Sequence, residues 1–192
     1  MAVHLTRIYT RTGDDGSTAL GDMSRAPKSG LRVGAYGEVD ATNAAIGVAL
    51  AQGGPEIGDD VRAVLAQVQN DLFDVGADLC TPVQPDPKYP PLRVDDGYVE
   101  RLEAACDSFN ERLGKLNSFL LPGGTVGAAQ LHVARTAARQ AERAVWMLIE
   151  AEPDVTSTTP ARYLNRLSDL LFILSRVANP GGDLLWKPAA NA

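Results

Sequence analysis

The sequence predicts an all-α protein, a five-helix bundle preceded by an extended N-terminal loop. Apolar residues recur at steps of three and four in long segments, which is the spacing of one buried helical face. Prolines and glycines separate these segments, and a stretch rich in glycine and hydroxyl side chains precedes the first of them. We expect a single domain over 1–192, with an arm at 1–33, the bundle at 34–179 and a tail at 180–192.

The first three helices are predicted from their apolar spacing. Residues 34–52 form a segment of small apolar residues, and residues 59–79 place valine and leucine at helical steps. The segment 81–91 contains five prolines and is predicted to be a stiff surface loop. A helix resumes near Asp95, because an acidic side chain is favourable at the positive end of a helix. Its predicted inward residues are Val99, Leu102, Cys106, Phe109 and Leu113.

The last two helices carry regular apolar seams. Thr125 is the predicted N-cap of a helix that runs to about Glu150, since its hydroxyl can accept a hydrogen bond from the first turn. The last helix is predicted from about Thr159 to Asn179, with Pro160 in the first turn, where proline is tolerated. The seam residues are Leu131, Ala134, Ala138, Ala141, Val145 and Leu148 on the fourth helix, and Leu164, Leu167, Leu171, Leu174 and Ala178 on the fifth.

Composition argues against several classes of function. A net charge of −6 over 192 residues is unfavourable for a broad nucleic-acid surface. The chain has only two histidines, and its two cysteines form no Cys-x-x-Cys pair, so a zinc site of the usual Cys/His kind is not indicated. We interpret His132 as a semi-buried, hydrogen-bonded residue and His4 as a surface residue. No apolar run is long enough to cross a membrane, and the start lacks a signal-peptide core, so a cytoplasmic protein with reduced thiols is expected.

The segment 10–18, which reads TRTGDDGST, is the most informative about function. Its exposed backbone N–H groups and hydroxyl side chains can form an anion site, and Arg11 adds a planar fork suited to phosphate. Asp14 and Asp15 suit such a site only if a cation such as Mg²⁺ lies between carboxylate and phosphate. The alternative is a plain tight turn, since Asp-Gly is a hairpin signal. The segment is neither a Walker A loop nor a Rossmann fingerprint.

Three helices carry polar residues beside their buried faces. Arg135, Arg139 and Arg143 recur every four residues on the fourth helix, with Glu142 beside them. Like charges at this spacing disfavour an isolated helix, so the row suits counter-ions, a neighbouring acidic subunit or a polyphosphate. Together with the segment 10–18, this row indicates a binder of nucleotide phosphates. No nucleophile or general base is evident. The other polar groups are Arg162, Asn165, Arg166 and Asp169 on the fifth helix, and Glu38, Asp40 and Asn43 on the first.

Four segments, taken in order, resemble the PduO-type ATP:cob(I)alamin (corrinoid) adenosyltransferases. They read TRTGDDGSTAL from residue 10, GEVDATNAAIG from 37, LPGG from 121 with LHVART and AER after it, and YLNRLSD from 163. The resemblance implies a homotrimer that binds ATP with Mg²⁺ between subunits. It also implies attack of Co(I) in cob(I)alamin on the ribose C5′ of ATP, giving adenosylcobalamin and triphosphate. Cobalt would then be the nucleophile that the chain lacks.

The resemblance assigns the nucleotide site residue by residue. Arg139, Glu142 and Asn165 would line the ATP site from the helices, and Lys28 would reach the phosphates. Lys28 is the least matched of these, since Ser29 and Gly30 follow it where relatives usually have an acidic pair. No protein ligand is assigned to the metal, which would arrive with ATP. The loop itself would be formed by Thr10, Arg11, Thr12, Gly13, Asp14, Gly16 and Thr18.

Two further roles follow from the resemblance. Arg135, with Arg139, would act on the reacting nucleotide and would also pair with Asp40 across the subunit boundary. Phe119 would lie on the lower face of the corrin and displace the dimethylbenzimidazole ligand, leaving four-coordinate cob(II)alamin that is easier to reduce. The alternative for Phe119 is ordinary core packing. The chain lacks the Asp-x-His-x-x-G pattern, so cobalamin binding through histidine is not indicated.

Other functions remain open from the sequence. The chain could be a non-catalytic carrier of adenosylcobalamin or a nucleotide, or a purely structural helical oligomer in which the arginine row is a solvated face. A reductase and a cobalamin-dependent mutase are possible partners, whereas nucleic acid and membranes are not expected. A purely structural oligomer predicts no stabilisation by ATP, so this measurement would distinguish it from a protein that binds ATP.

Overall fold

A computed structural model describes residues 9–87 and 89–189 of the chain. The expectation for His4, and the parts of the predicted arm and tail at 1–8 and 190–192, lie outside the described residues. No helix in the described ranges is both long and apolar enough to cross a membrane.

The predicted all-α, five-helix fold is confirmed. Five α-helices and one two-stranded antiparallel ribbon form the regular structure of the described ranges, together with two short 3-10 turns. The elements are β1 (Ser17–Ala19), β2 (Arg25–Pro27), α1 (Leu31–Gln52), α2 (Asp59–Cys80), α3 (Asp96–Asn110), α4 (Val126–Ala151) and α5 (Thr159–Val177), with 3-10 turns at Gly54–Glu56 and Pro153–Val155.

The helix ends follow local hydrogen bonding. The Oγ1 atom of Thr125 accepts from the N–H of Ala128 at 3.1 Å, so the predicted N-cap of α4 is confirmed. The helix α3 ends earlier than its apolar pattern predicts. Its hydrogen bonds tighten to the i−3 type after Glu111, and Gly114 follows. Leu113 therefore lies half-buried in the turn after α3 rather than on the helix.

The fourth helix is the centre of the bundle, packed between α1 and α5. Every seam residue predicted for α4 and α5 is fully buried. Alanine in the α4 seam lets the neighbouring helices approach closely. The start of α4 is also tight, because a Cβ atom on Gly127 would lie 2.9 Å from Cγ1 of Ile57 and 3.0 Å from the carbonyl oxygen of Gly53. The alanine seam thus fixes α4, and with it the arginine row, relative to the rest of the bundle.

The arm folds into a ribbon that the sequence did not predict. The strands β1 and β2 pair with Ser17 opposite Pro27, and residues 20–24 connect them. The ribbon is docked on the end of α2, because the N–H of Gly21 donates to the carbonyl oxygen of Cys80 at 3.0 Å. A Cβ atom at Gly21 would lie 2.0 Å from Oγ1 of Thr81, so only glycine permits this approach.

A buried guanidinium ties the start of α1 to two other parts of the fold. Arg32 is 3% exposed, and its nitrogens donate to the carbonyl oxygen of Leu79 at 2.7 Å and to Oε2 of Glu152 at 2.6 and 3.1 Å. It also donates to Oγ1 of Thr156 at 3.0 Å and to the carbonyl oxygen of Val155 at 3.3 Å. These bonds join α1 to the end of α2 and to the connection between α4 and α5.

We expect Arg32→Ala to lower the free energy of unfolding by about 2–3 kcal/mol, since it leaves several buried acceptors unpaired and Glu152 without its cation. Urea denaturation followed by circular dichroism measures the change. The matched control is Arg112→Ala, which removes an exposed ion pair with Asp60 and should cost less than about 1 kcal/mol. Equal losses in the two variants would contradict a special role for Arg32.

Candidate active site

The loop before β1 is closed by one arginine side chain. The Nε atom of Arg25 donates to Oγ of Ser17 at 2.9 Å, and its Nη2 atom donates to the carbonyl oxygen of Thr12 at 2.8 Å. Asp15 accepts from the N–H and hydroxyl of Ser17 at 2.9 and 2.8 Å and lies 3.3 Å from Nη2 of Arg25. The hydrogen bonds from Ser17, and then the charge of Arg25, lower the pKa of the Asp15 carboxyl. Arg25 therefore holds both ends of the loop together.

The glycines of the loop lie where the backbone requires them. Gly16 has a φ of 82° and its N–H donates to the carbonyl oxygen of Gly13 at 3.2 Å, so the tight turn that Asp-Gly indicates is present, but it precedes β1 instead of connecting two strands. A Cβ atom at Gly13 would lie 3.1 Å from Nζ of Lys28, which places that ammonium group against the loop backbone. The N–H of Lys28 also donates to the carbonyl oxygen of Gly16 at 2.9 Å. The structure thus brings Gly13, Gly16 and Lys28 together as predicted.

The remaining loop residues surround this turn. Arg11 is exposed with a φ of 62°, a left-handed conformation that is uncommon for a residue with a side chain, and its guanidinium lies 5.7 Å from the ring centre of Tyr9. The hydroxyls of Thr10 and Thr12 are 2.9 Å apart. Asp14 is exposed, and Thr18 is half-buried in β1 opposite Ala26. The loop therefore presents hydroxyls, N–H groups and two cations to solvent.

A second polar cluster lies on the surface between α4 and α5. An open cavity of about 470 Å³ is lined by Thr136, Arg139, Glu142, Arg143 and Asn165. The Nδ2 atom of Asn165 donates to Oε1 of Glu142 at 3.0 Å, and Nη1 of Arg166 donates to Oδ1 of Asn165. Both ends of the Asn165 amide are thereby fixed. The structure brings Arg139, Glu142 and Asn165, which the resemblance assigns to one site, into one cavity.

Arg135 lies one turn before Arg139 on the same helix and is half-buried. Its Nε atom is buried and has no hydrogen-bond partner among the described residues. Burial, and then the charge of Arg139, lower the pKa of the Arg135 guanidinium. Asp40 is exposed on α1, and no hydrogen bond or ion pair joins it to Arg135 within the described part of the chain. The predicted pairing of these two residues is therefore not made inside one subunit.

Phe119 lies on the surface, so the alternative of core packing is wrong. Its side chain is 79% exposed, because its segment is held by the tail and not by the helices. The N–H of Trp186 donates to the carbonyl oxygen of Phe119 at 2.8 Å, and the two rings meet edge to face with centres 6.0 Å apart. Leu120 and Leu185 form an antiparallel bridge. An open cavity of about 570 Å³ lies beside this aromatic pair.

His132 is more buried than the sequence suggests, and fewer of its ring nitrogens have hydrogen-bond partners. It is 7% exposed, and its Nε2 atom lies 3.2 Å from Oγ of Ser175. Its Nδ1 atom is buried without a partner among the described residues, so the predicted hydrogen-bonded histidine is confirmed at only one nitrogen. Burial, and then the charge of Arg135, lower the pKa of the imidazole, and Asp183 opposes this shift.

Sequence reasoning missed Arg25 and Trp186. Arg25 faces the loop only because β1 and β2 pair, with Ala19 opposite Arg25. Trp186 reaches Phe119 only because the tail pairs with the segment before α4. In the sequence, each of these pairings is indicated by no more than a few residues of extended chain.

The loop and the cavity are separate in one chain. None of the loop residues 10–18 lines the α4–α5 cavity. In the ranges that the structure describes, no three His, Cys, Asp or Glu side chains are grouped closely enough to hold a metal ion. The fold and its two polar clusters define a class of helical-bundle proteins whose surface cations suit an anionic ligand.

Comparison with known proteins specifies the family. The model of the cobalamin adenosyltransferase family matches residues 8–178, and a corrinoid adenosyltransferase from Mycobacterium tuberculosis is 59% identical over 100% of this chain and 98% of its own length. The chain therefore belongs to the cobalamin adenosyltransferase family and is an adenosyltransferase, as the resemblance implied.

Other relatives agree with this assignment. A corrinoid adenosyltransferase from Bacillus subtilis is 40% identical over 96% of this chain and 94% of its own length. Among solved structures, a variant of the PduO-type ATP:corrinoid adenosyltransferase from Lactobacillus reuteri, complexed with cobalamin and ATP, is 33% identical with a TM-score of 0.86. That match covers 95% of this chain and 100% of the other.

Proposed function

We propose that this enzyme transfers the 5′-deoxyadenosyl group of ATP to cob(I)alamin, forming adenosylcobalamin and triphosphate. The observation that carries the proposal is the cavity in which Arg139 lies beside the fixed pair of Glu142 and Asn165. A cation supplies charge for a phosphate chain there, and the fixed amide and carboxylate offer donors and acceptors for a nucleotide. Relatives that carry the adenosyltransferase name, one of them solved with cobalamin and ATP, support the same reaction.

The reaction requires the protein to position the substrates and to stabilise the charge on the leaving group, more than it requires general acid or base catalysis. The lone pair of Co(I) attacks the ribose C5′ carbon, a Co–C bond forms and the C5′–O bond breaks. The electron pair of the broken bond leaves with the triphosphate. Arg139 and Lys28 are proposed to stabilise the charge that develops on this leaving group, and the cavity is proposed to hold C5′ in line with cobalt.

We propose that Mg²⁺ binds with the triphosphate. Because no cluster of three ligating side chains occurs in the described ranges, phosphate oxygens would be its main ligands. The exposed carboxylate of Asp14, in the loop against which the Lys28 ammonium lies, fits the remaining role of a single protein ligand. The ion would neutralise phosphate charge that the loop cations leave unbalanced.

We propose that the complete site lies between subunits of a homotrimer. The separation of the loop from the α4–α5 cavity supports this, since a nucleotide bound by both needs the loop of one subunit and the helices of another. The exposed Asp40 and the half-buried Arg135 are the proposed pair across that boundary. Such a pair would give the partly buried guanidinium the carboxylate that it lacks within its own chain.

The direct test is an anaerobic assay with purified protein, chemically reduced cob(I)alamin, Mg²⁺ and ATP. Formation of the cobalt–carbon bond, followed by the visible spectrum, should require both ATP and the protein. A folded protein that is stabilised by ATP but gives no product would favour a non-catalytic carrier. Saturating ATP at a hundredfold excess over its dissociation constant should stabilise the native state by about 2.7 kcal/mol. No stabilisation and no product would favour the structural oligomer.

The product's destination is a separate proposal. We propose that the enzyme acts in the cytoplasm, receives cob(II)alamin that a reductase converts to cob(I)alamin, and can pass adenosylcobalamin to a mutase. Retention of product by the protein until an acceptor apoenzyme is added would support direct delivery.

We expect Arg139→Ala to raise the KM for ATP by about tenfold or more, since one charge-assisted contact to phosphate is lost. The steady-state assay above measures it at saturating cob(I)alamin. The control is Arg162→Ala on α5, which removes an exposed ion pair with Asp96 and should leave the kinetics unchanged. Unchanged kinetics in Arg139→Ala would remove Arg139 from the site.

We expect Phe119→Ala to reduce turnover from cob(II)alamin with a reductant much more than turnover from pre-reduced cob(I)alamin. The reason is that the proposed role of the ring is to displace the lower ligand before reduction. Phe73→Ala is the control, because this ring is also highly exposed but lies on α2. Equal losses from the two substrates would contradict ligand displacement by Phe119.

We expect Asp40→Ala and Arg135→Ala each to raise the dissociation constant of the trimer by about tenfold or more, because each leaves its partner unpaired at the interface. Analytical ultracentrifugation measures this constant. The double variant should be little worse than either single variant, as a double-mutant cycle requires of directly coupled residues. Independent, additive effects would show that the two side chains do not pair.

A further inference from the structure

Two buried side-chain polar atoms of the described residues have no hydrogen-bond partner, and they belong to residues about one helical turn apart. They are Nδ1 of His132 and Nε of Arg135, both on α4. Residues at i and i+3 share one face of a helix, so the two side chains leave α4 on the same face. Because buried polar atoms are nearly always satisfied, their coincidence calls for one common explanation.

The hydrogen bonds around Ser175 fix the protonation of the imidazole. The hydroxyl of Ser175 donates its single proton to the carbonyl oxygen of Phe172 at 2.7 Å. Its oxygen can therefore only accept from His132, whose Nε2 atom lies 3.2 Å away. His132 must carry its proton on Nε2, and its Nδ1 atom is left as an acceptor. The neutral form is the one that fits, since burial and the charge of Arg135 lower the pKa of the imidazole.

The two unpartnered atoms are then complementary. The Nδ1 atom of His132 is an acceptor, whereas the Nε–H group of Arg135 is a donor. Nε is the one nitrogen of this guanidinium that is both buried and unpartnered in the described part of the chain. The terminal nitrogens are therefore available for Asp40 or the nucleotide, while Nε needs an acceptor from inside the fold.

We propose that a buried water molecule bridges Nδ1 of His132 and Nε of Arg135, and that His132 thereby positions the Arg135 guanidinium. Water can accept from Nε–H and donate to Nδ1 at once, which satisfies both atoms. His132 is then a positioning residue whose ring is oriented by Ser175 on α5 and by the edge-to-face contact with Phe172 at 6.2 Å. The functional part of this inference rests on the proposed role of Arg135.

Histidine ¹⁵N NMR tests the protonation state without any substrate. The chain has two histidines, so the signals lost in His132→Gln identify this residue. We expect a protonated Nε2 and an unprotonated Nδ1 at neutral pH. A high-resolution crystal structure should show a water within about 3.2 Å of both Nδ1 and Nε. A proton on Nδ1, or a dry site, would overturn the proposal.

A matched pair of variants tests the role in turnover. His132→Asn keeps an acceptor near the position of Nδ1 and loses the bond to Ser175, whereas His132→Gln keeps a donor near Nε2 and loses the acceptor. We expect kcat/KM for ATP to fall about tenfold in His132→Gln and clearly less in His132→Asn. Equal falls, or a larger fall in His132→Asn, would overturn the positioning role.

The two proposals fail in distinguishable ways. If the wild-type protein turns over no cob(I)alamin, the proposed function fails, yet the NMR spectrum and the crystal structure still decide the protonation state and the bridging water. Thermal unfolding of both variants shows whether a lost activity reflects a lost fold.

Discussion

The contact on which the functional arm depends is the buried guanidinium of Arg32. It lies in the first turn of α1, a few residues after the ribbon, and bonds to the end of α2 and to the connection between α4 and α5. A buried cation tolerates few arrangements, because each of its donors needs an acceptor. The point at which the arm leaves the bundle is therefore fixed. The close approach of Gly21 to Thr81 then sets the ribbon's direction, so the loop at 10–18 is placed by two contacts that lie outside it.

Sequence predicted the bundle well because its signals are local. Each helix shows its buried face within its own residues, and the seams of α4 and α5 are fully buried as expected. The ribbon escaped prediction because its strands have three residues each, and their pairing depends on contacts with α2. Similarly, α3 ended before Leu113 although the apolar spacing continues, since hydrogen bonding and not hydrophobicity ends a helix.

The residues of the candidate site also divide into those that the sequence indicates and those that it does not. The sequence shows Arg139, Glu142 and Asn165 only as polar residues beside buried helical faces, and the family resemblance assigns them to one site; in the structure they line one cavity. Arg25 and Trp186 were not, because each acts through a strand pairing with residues distant in sequence. Phe119 shows how an unpredicted pairing leads to a wrong expectation of burial. Its apolar side chain suggests the core, yet the bridge between Leu120 and Leu185 holds its segment at the surface.

The alanine seam of α4 lies on the same helix as the arginine row, so the packing of the interior sets the position of these surface cations. Any larger side chain at Ala134, Ala138 or Ala141 would push α4 away from its neighbours, and Arg135 and Arg139 would move with it. A substitution in the core of α4 therefore displaces two surface guanidinium groups that it does not touch.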